Sequence, residues 1–424
     1  MSALAIDGGR PVRETPFPKY NTIGDEEKRA VLAVLESGVL SQFVGVWGPD
    51  FFGGPRVQEL ERNWEAHFGV SHAVSMNSAT SGLYAAVGAA GVGPGDEVIV
   101  SPYTMSASAA AALVYGAVPV FADIDPDTFC LDPESVAERI SARTKAIIGV
   151  DLFGHPAPWD ELREIALPHG IVLIEDAAQA PGASYRGRWA GTLGHMGVYS
   201  LNYHKTIHSG EGGIVVTNDP KLAERLQLIR NHGEAVVKAK GERDLVNLVG
   251  FNYRMTEIEA AIANEQLKKL DGLVRPRVEA AGYLTERLQG MPGITPPLTR
   301  PNVRSGFYVY AVKFDAEAAG MTRTRFADAV RAEGIPISEG YVEPLYRQPM
   351  YQRRIAYGQG GFPFTTEAGE AQRYGPGLCP VAERMHEAEL LYLSLCYAGV
   401  STKDLDDVVT AFDKVLASVG AAAR

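Results

Sequence analysis

The sequence predicts an α/β fold: a large domain on a mostly parallel central sheet flanked by helices, then a smaller C-terminal α+β domain. Three observations predict it. From His72 onward, short unbroken apolar runs alternate with helical stretches, as in strands buried on both faces by crossover helices. After Asp219 the alternation gives way to successive helices. Beyond Gly293, strand-like and helical stretches mix with a tyrosine- and proline-rich segment. The expected division is residues 1–275 and 276–424, which a chain of 424 residues can fill as two domains.

In order along the chain, the first twenty residues are proline-rich and extended, and Asp25–Leu35 carries apolar residues at helical spacing. Ser37–Pro55 reads as a long loop, and Phe43, Trp47, Phe51 and Phe52 within it leave two readings open, a packed lid or a plain surface loop. Val57–Phe68 is an amphipathic helix. Ala73–Met76 is a strand, and Asn77–Gly82 opens a helix that runs through Ala90. Strands follow at Glu97–Val100, Pro119–Ala122, Lys145–Val150 and Ile171–Glu175, with helices at Ala107–Tyr115 and near Trp159–Leu167 between them. Apolar runs at Val198–Ser200 and Ile214–Val216 bracket a glycine-rich corner. Helices are then expected at Lys221–Arg230, Thr256–Leu270 and Val278–Gln289. A strand at Phe307–Phe314 and helices at Arg323–Glu333 and Lys403–Ala417 complete the chain.

Bulk composition excludes several classes of function. Forty basic against 51 acidic residues leave a net charge of −11, which argues against nucleic acid or an anionic membrane as partner. The N-terminus lacks the basic and apolar regions of a signal peptide, and the most apolar window, Met105–Ala122, is broken by Gly116 and Pro119. Cys130, Cys379 and Cys396 lack metal-ligand spacing, so a reduced cytoplasmic protein without a metal is expected. His204 and His208 stand four apart, but no carboxylate accompanies them at zinc-site spacing. G-x-G-x-x-G, G-x-S-x-G and Walker A patterns are absent.

Two residues carry the chemistry. The strand Ile171–Glu175 runs into Asp176, and the run Val198–Ser200 is followed within a turn or so by Lys205. A carboxylate at a strand end, where ligands bind open α/β sheets, and a lysine on a neighbouring loop are what pyridoxal phosphate chemistry requires. The lysine forms a Schiff base with the cofactor aldehyde, and the carboxylate keeps the pyridine nitrogen protonated so that the ring accepts electrons. Asp176 can equally serve as a helix N-cap, and a lone lysine is ordinarily a solvated charge. Gln179 is close enough to face the same ligand, and Asn77–Gly82 offers a helix start able to cradle a phosphate, although Ser and Thr also simply cap helices.

With these residues in place, the chain resembles the sugar aminotransferase family called DegT/DnrJ/EryC1/StrS, pyridoxal phosphate enzymes of fold type I. The resemblance rests on Asn77–Leu83, Gly93–Val100, Glu175–Ala180, Ser200–Gly213 and Gly250–Ile262, five motifs in order. It implies that Lys205 forms the Schiff base, that Asp176 pairs with the pyridine nitrogen and that Gln179 sits near the cofactor hydroxyl. Ser78, Ala79, Thr80 and Ser200 are expected to hold the phosphate. Asn252 is expected to reach the phosphate of a neighbouring subunit, which implies a homodimer with shared sites. The family usually places an aromatic residue after a threonine to stack on the ring; here Met105 follows Thr104, leaving Met105 or Tyr103 as the cover. Arg254, Tyr341 and His386 are substrate-side candidates.

The expected activity is transfer of an amino group from glutamate or glutamine, through the pyridoxamine form of the cofactor, to a keto-sugar linked to a nucleotide. A keto-cyclitol acceptor is the alternative within the class. A non-catalytic cofactor-binding regulator is the alternative outside it, disfavoured by the intact lysine and the lack of a basic DNA-binding module.

Overall fold

The computed structural model describes residues 3–422. Its centre is a seven-stranded sheet of β1 (His72–Met76), β2 (Glu97–Val100), β3 (Val118–Phe121), β4 (Thr144–Val150), β5 (Val172–Asp176), β6 (Met196–Ser200) and β7 (Gly213–Thr217). Across the sheet the order is β1-β7-β6-β5-β4-β2-β3. Only β7 runs against the others, antiparallel to both β1 and β6. Val98, Ile99, Ile147, Ile148 and Ile174 have no exposed surface, because helices cover both faces. That double cover is why these strands read as unbroken apolar runs rather than as alternating ones.

The register brings distant residues to one end of the sheet. Val150 lies opposite Asp176, and Asp176 opposite Val198. Gly213, at the start of β7, is flanked by Met76 on one side and Ser200 on the other. The carboxyl ends of β1, β5 and β6 therefore meet the corner that follows Lys205, at the edge where open α/β sheets take ligands.

The two helices expected at Thr256–Leu270 and Val278–Gln289 are one helix, Glu257–Leu288, which carries Pro276 inside it. A proline removes a single intrahelical donor, and the residue four before it is Gly272, with no side chain to add crowding. The start is fixed by a reciprocal capping box between Thr256 and Glu259. Leu267, Leu270 and Val274 pack into a large-domain core, whereas Ala281, Leu284 and Leu288 pack into the C-terminal core. We propose the division at residues 275 and 276 on that ground: the helix passes there from one core to the other.

The C-terminal core surrounds a four-stranded antiparallel sheet of Ile294–Thr295, Tyr310–Phe314, Leu390–Leu393 and Ile337–Glu339, in that spatial order. Two segments cross over. Leu4 packs with the C-terminal core, and the tyrosine-rich stretch sends Tyr346, Tyr351 and Phe364 back against the large domain. There Tyr374 donates to the carbonyl of Pro119 at 2.8 Å, covering the edge strand β3. The helix Gly233–Lys240 has no counterpart in the expected elements.

The loop before the second helix is packed, as its aromatics indicate, but it is no lid over this chain's cavity. Phe51 has no exposed surface and Trp47, Phe51 and Phe52 form one cluster. The side-chain amide of Asn231 donates to the carbonyls of Val44 and Phe51 at 2.9 and 3.1 Å. These anchors hold the loop against the large domain, and none of its residues lines the main cavity.

Candidate active site

A cavity of about 670 Å³ opens at the carboxyl ends of β1, β4, β5 and β6 and is closed on the far side by the C-terminal domain. Ser78, Ala79, Thr80, Met105, Asp176, Gln179, Ser200, Lys205 and Tyr341 all line it. The sequence separates these residues by up to 263 positions; the strand register and the docking of the C-terminal domain bring them together.

Ser78, two residues beyond β1 and in extended backbone, caps the helix Ala79–Ala89, its hydroxyl accepting from the Ser81 N–H at 3.0 Å. The helix start faces the cavity with Ser200 from β6 beside it, so free N–H groups, hydroxyls and the positive end of the helix share one corner. Gly213 makes that corner possible. A Cβ there would lie 2.5 Å from the Ala79 nitrogen, so any side chain would displace the helix start.

Asp176 is 5 % exposed. Burial pushes its carboxyl above the usual range, while the Ser108 hydroxyl, the Ala178 N–H and the charge of Lys205 pull it back. Ser108 donates to Oδ2 at 2.8 Å and the Ala178 N–H to Oδ1 at 3.2 Å. Gln179 is held at both ends: its Oε1 accepts from the Phe153 N–H at 2.8 Å and its Nε2 donates to the Tyr341 hydroxyl at 2.9 Å. Burial raises Tyr341 to about 12, so it stays a neutral phenol.

Lys205 sits in the turn after β6, its N–H donating to the carbonyl of Asn202 at 2.9 Å. The side chain is partly exposed, and its Nζ lies 4.8 Å from the ring centre of Tyr308. Burial lowers the amine to about 8, and Asp176 opposes the shift. An amine near 8 is partly unprotonated at neutral pH and is available as nucleophile and as base.

Four expected residues lie outside the cavity. Tyr103 has no exposed surface and donates to the Gly340 carbonyl at 3.0 Å, whereas Met105 is 61 % exposed on the cavity wall. Arg254 donates to Asn252 Oδ1 at 2.8 Å and so orients that side chain. His386 pairs through Nδ1 with the Gly340 carbonyl at 2.9 Å, behind the segment that carries Tyr341. Asn252 itself is exposed and outside the cavity of its own chain, next to Tyr253, whose carbonyl accepts from the Asn77 N–H at 2.8 Å.

Other site residues were not foreseen from the sequence: Tyr308, Tyr20, Tyr397 and Arg277 on the wall, and Ser108 buried behind Asp176. Arg277 had a legible signal. It continues the buried stripe Leu270, Val274, Ala281, Leu284 of the long helix, a charged residue at an apolar position.

The fold defines a class, that of the type I aminotransferases. The chain belongs to the DegT/DnrJ/EryC1/StrS aminotransferase family, whose model matches residues 21–412, and it is a pyridoxal phosphate-dependent aminotransferase. It is 34 % identical over 398 residues to the spore coat polysaccharide biosynthesis protein SpsC of Bacillus subtilis, covering 92 % of this chain and 94 % of that one. It is 36 % identical over 432 residues to the L-glutamine:2-deoxy-scyllo-inosose aminotransferase of Streptomyces kanamyceticus, covering 98 % and 97 %. Among solved structures, DesI in the presence of its TDP-sugar product superposes with a TM-score of 0.81 at 30 % identity, over 99 % of this chain and 98 % of that one.

Proposed function

We propose that this chain moves the amino group of glutamate or glutamine onto the keto group of a sugar, with pyridoxal 5'-phosphate as resident cofactor. The observation that carries the reading is the meeting, in one cavity, of a lysine amine lowered to about 8 and a buried strand-end carboxylate. The residues fit the cofactor. Ser78, Ala79, Thr80 and Ser200 would hold its phosphate in the corner that Gly213 leaves open, Asp176 would face its ring nitrogen, Gln179 its hydroxyl and Met105 a ring face.

When bound, the cofactor supplies an aldehyde that accepts the amine and a ring that stores the electron pair released at the donor carbon. Lys205 Nζ takes the proton from the donor α-carbon and, in the second half-reaction, returns one to the carbon that gains nitrogen. Asp176, held by Ser108 and Ala178, keeps a negative charge opposite the ring nitrogen. Gln179 and Tyr341 form a fixed polar wall. The half-buried Tyr308 and Tyr341 line the wall of the cavity that holds the amine.

A nucleotide-linked keto-sugar is the first acceptor reading, supported by the likeness to DesI with its TDP-sugar product. A keto-cyclitol is the second. It is supported by several near-full-length relatives named L-glutamine:2-deoxy-scyllo-inosose aminotransferases, and by a cavity whose lysine and arginine lining is Lys205 and Arg277 alone among the described residues, sparse for a diphosphate. A homodimer with shared sites is part of the proposal, supported by Asn252, which is exposed and oriented by Arg254 at the rim of the phosphate corner. Cys130, Cys379 and Cys396 are buried and unpaired, which supports a reducing, cytoplasmic setting.

The test is the visible spectrum of the purified protein, before and after glutamate and, separately, glutamine. Loss of the cofactor band with one donor, and its return with a nucleotide keto-sugar or a keto-cyclitol, identifies donor and acceptor. A band that no amino donor alters would instead support the cofactor-binding regulator.

A further inference from the structure

Arg277 is 5 % exposed, lines the cavity and forms no ion pair among the described residues. Its Nη1 makes two long contacts, both 3.5 Å, to the carbonyls of Phe307 and Tyr308. Its Nε has no hydrogen-bond partner. The guanidinium lies over the ring of Tyr20, 5.0 Å from its centre, and Tyr20 is itself fixed by donating to the Thr206 carbonyl next to Lys205. A buried guanidinium with an unsatisfied donor is costly unless an anion completes it.

Resting on the aminotransferase reading, we propose that Arg277 binds the α-carboxylate of the amino donor and so selects α-amino acids for the first half-reaction. The location supports a carboxylate near the reacting carbon. Lys205 Nζ is 4.8 Å from the Tyr308 ring, and Arg277 contacts the backbone carbonyl of that same tyrosine. Lys205 acts on a carbon that also bears the carboxylate, so the anion's receptor belongs on a wall adjoining the amine. A guanidinium offers the planar pair of donors that a carboxylate accepts. The amino group leaves and the carboxylate stays as the keto acid, so Arg277 handles donor and by-product alike.

The experiment compares wild type, Arg277→Gln and Arg277→Lys, each first shown to bind cofactor by its visible band. Two measurements are made. The first is calorimetric binding of glutaric acid monoamide, which keeps the carboxylate and amide of glutamine and lacks the amine. The second is the rate of band loss with glutamine against 4-aminobutanamide, which keeps the amine and lacks the carboxylate. Arg277→Gln is expected to weaken glutaric acid monoamide and to lower kcat/KM for glutamine by roughly 10- to 150-fold, while 4-aminobutanamide is unchanged. Arg277→Lys is expected to recover part of the loss.

Equal loss with both amines, or unchanged binding of glutaric acid monoamide, would overturn the proposal. So would a variant that reacts normally with glutamine and fails only with the acceptor, which would make Arg277 a receptor for an acceptor phosphate. Failure of the aminotransferase reading is separate: there the wild type keeps its band with every amine.

Discussion

The Ser108 hydroxyl donates to Asp176 Oδ2 at 2.8 Å, linking the first turns of the helix Ser106–Val114 to the end of β5. Both groups are buried, and the bond is one of the two hydrogen bonds that hold this carboxylate charged against its desolvation. Ser108→Ala removes it without enlarging the residue. Asp176 then titrates higher, and because the charged form is the useful one, the acidic limb of the kcat/KM profile moves to higher pH. A hydrogen bond to a charged group is worth about 1.5–3 kcal/mol, so turnover at pH 7 is expected to fall at least about tenfold. Steady-state rates from pH 5 to 9 check both effects; an unmoved acidic limb contradicts the role.

Lys205 gives a prediction about stability as well as rate. Its amine falls from an ordinary 10.5 to about 8 because folding buries it. Between those values the unfolded chain keeps the proton and the folded chain does not, so stability of the cofactor-free protein rises with pH through that window. Below about 8 the penalty is fully present, at most about 3 kcal/mol. Lys205→Met, of similar volume, should therefore be more stable than cofactor-free wild type at pH 7, with the gain fading towards pH 10.5. Urea titrations of both proteins at several pH values measure it. The same variant should lose turnover by at least about 100-fold, having lost its base.

The parts of the molecule that could be read from sequence are those set by local physics. β4 and β5 announce themselves because strands buried on both faces must be apolar throughout. Asp176 and Lys205 stand out because a charge at the end of such a run needs a chemical reason. Two helices were expected where one runs: the buried stripe from Leu270 to Leu288 carries the helix through Pro276. Reading two helices left Arg277 in the supposed gap, where its apolar-face position could not be noticed. Ser108, Tyr308 and Tyr20 were illegible for a different reason. Each reaches the site through contacts between distant segments, and nothing in its immediate neighbours marks it. The same holds for His386, which lies close to Tyr341 but points at the Gly340 carbonyl.

Gly213 tests the phosphate corner. Its position between Met76 and Ser200 in the sheet leaves a Cβ 2.5 Å from the Ala79 nitrogen and from the Ser78 carbonyl carbon. Gly213→Ala must push the helix start away from β7. Overpacking of this kind costs about 1–3 kcal/mol, and it also moves the N–H groups that face the cavity. The expected outcome is a lower Tm together with weaker cofactor affinity, read by titrating pyridoxal phosphate into the cofactor-free variant. A variant that loses stability but binds cofactor as wild type would remove this corner from the phosphate site.

Behind the same corner, Arg230 and Glu61 form a buried ion pair at 2.6 Å. Arg230 has no exposed surface, donates also to the Ser75 carbonyl at 3.2 Å and lies over Phe43 of the long loop. Glu61 accepts from the Ser75 N–H and hydroxyl at 2.9 and 2.8 Å. The pair thus fixes β1 two residues before the Asn77–Ser78 turn. Glu61→Ala leaves a buried guanidinium without its counter-charge, a change worth about 3–5 kcal/mol. An apolar replacement of both partners, Glu61→Leu with Arg230→Met, removes the charge problem and should recover most of that stability. Denaturant unfolding of the single and double variants gives the comparison. Cofactor affinity should follow a different course: lost in Glu61→Ala, and only partly restored in the double variant, because leucine cannot accept the two Ser75 hydrogen bonds that set the height of the turn. If the double variant bound cofactor as tightly as wild type, the pair would be acting on stability alone.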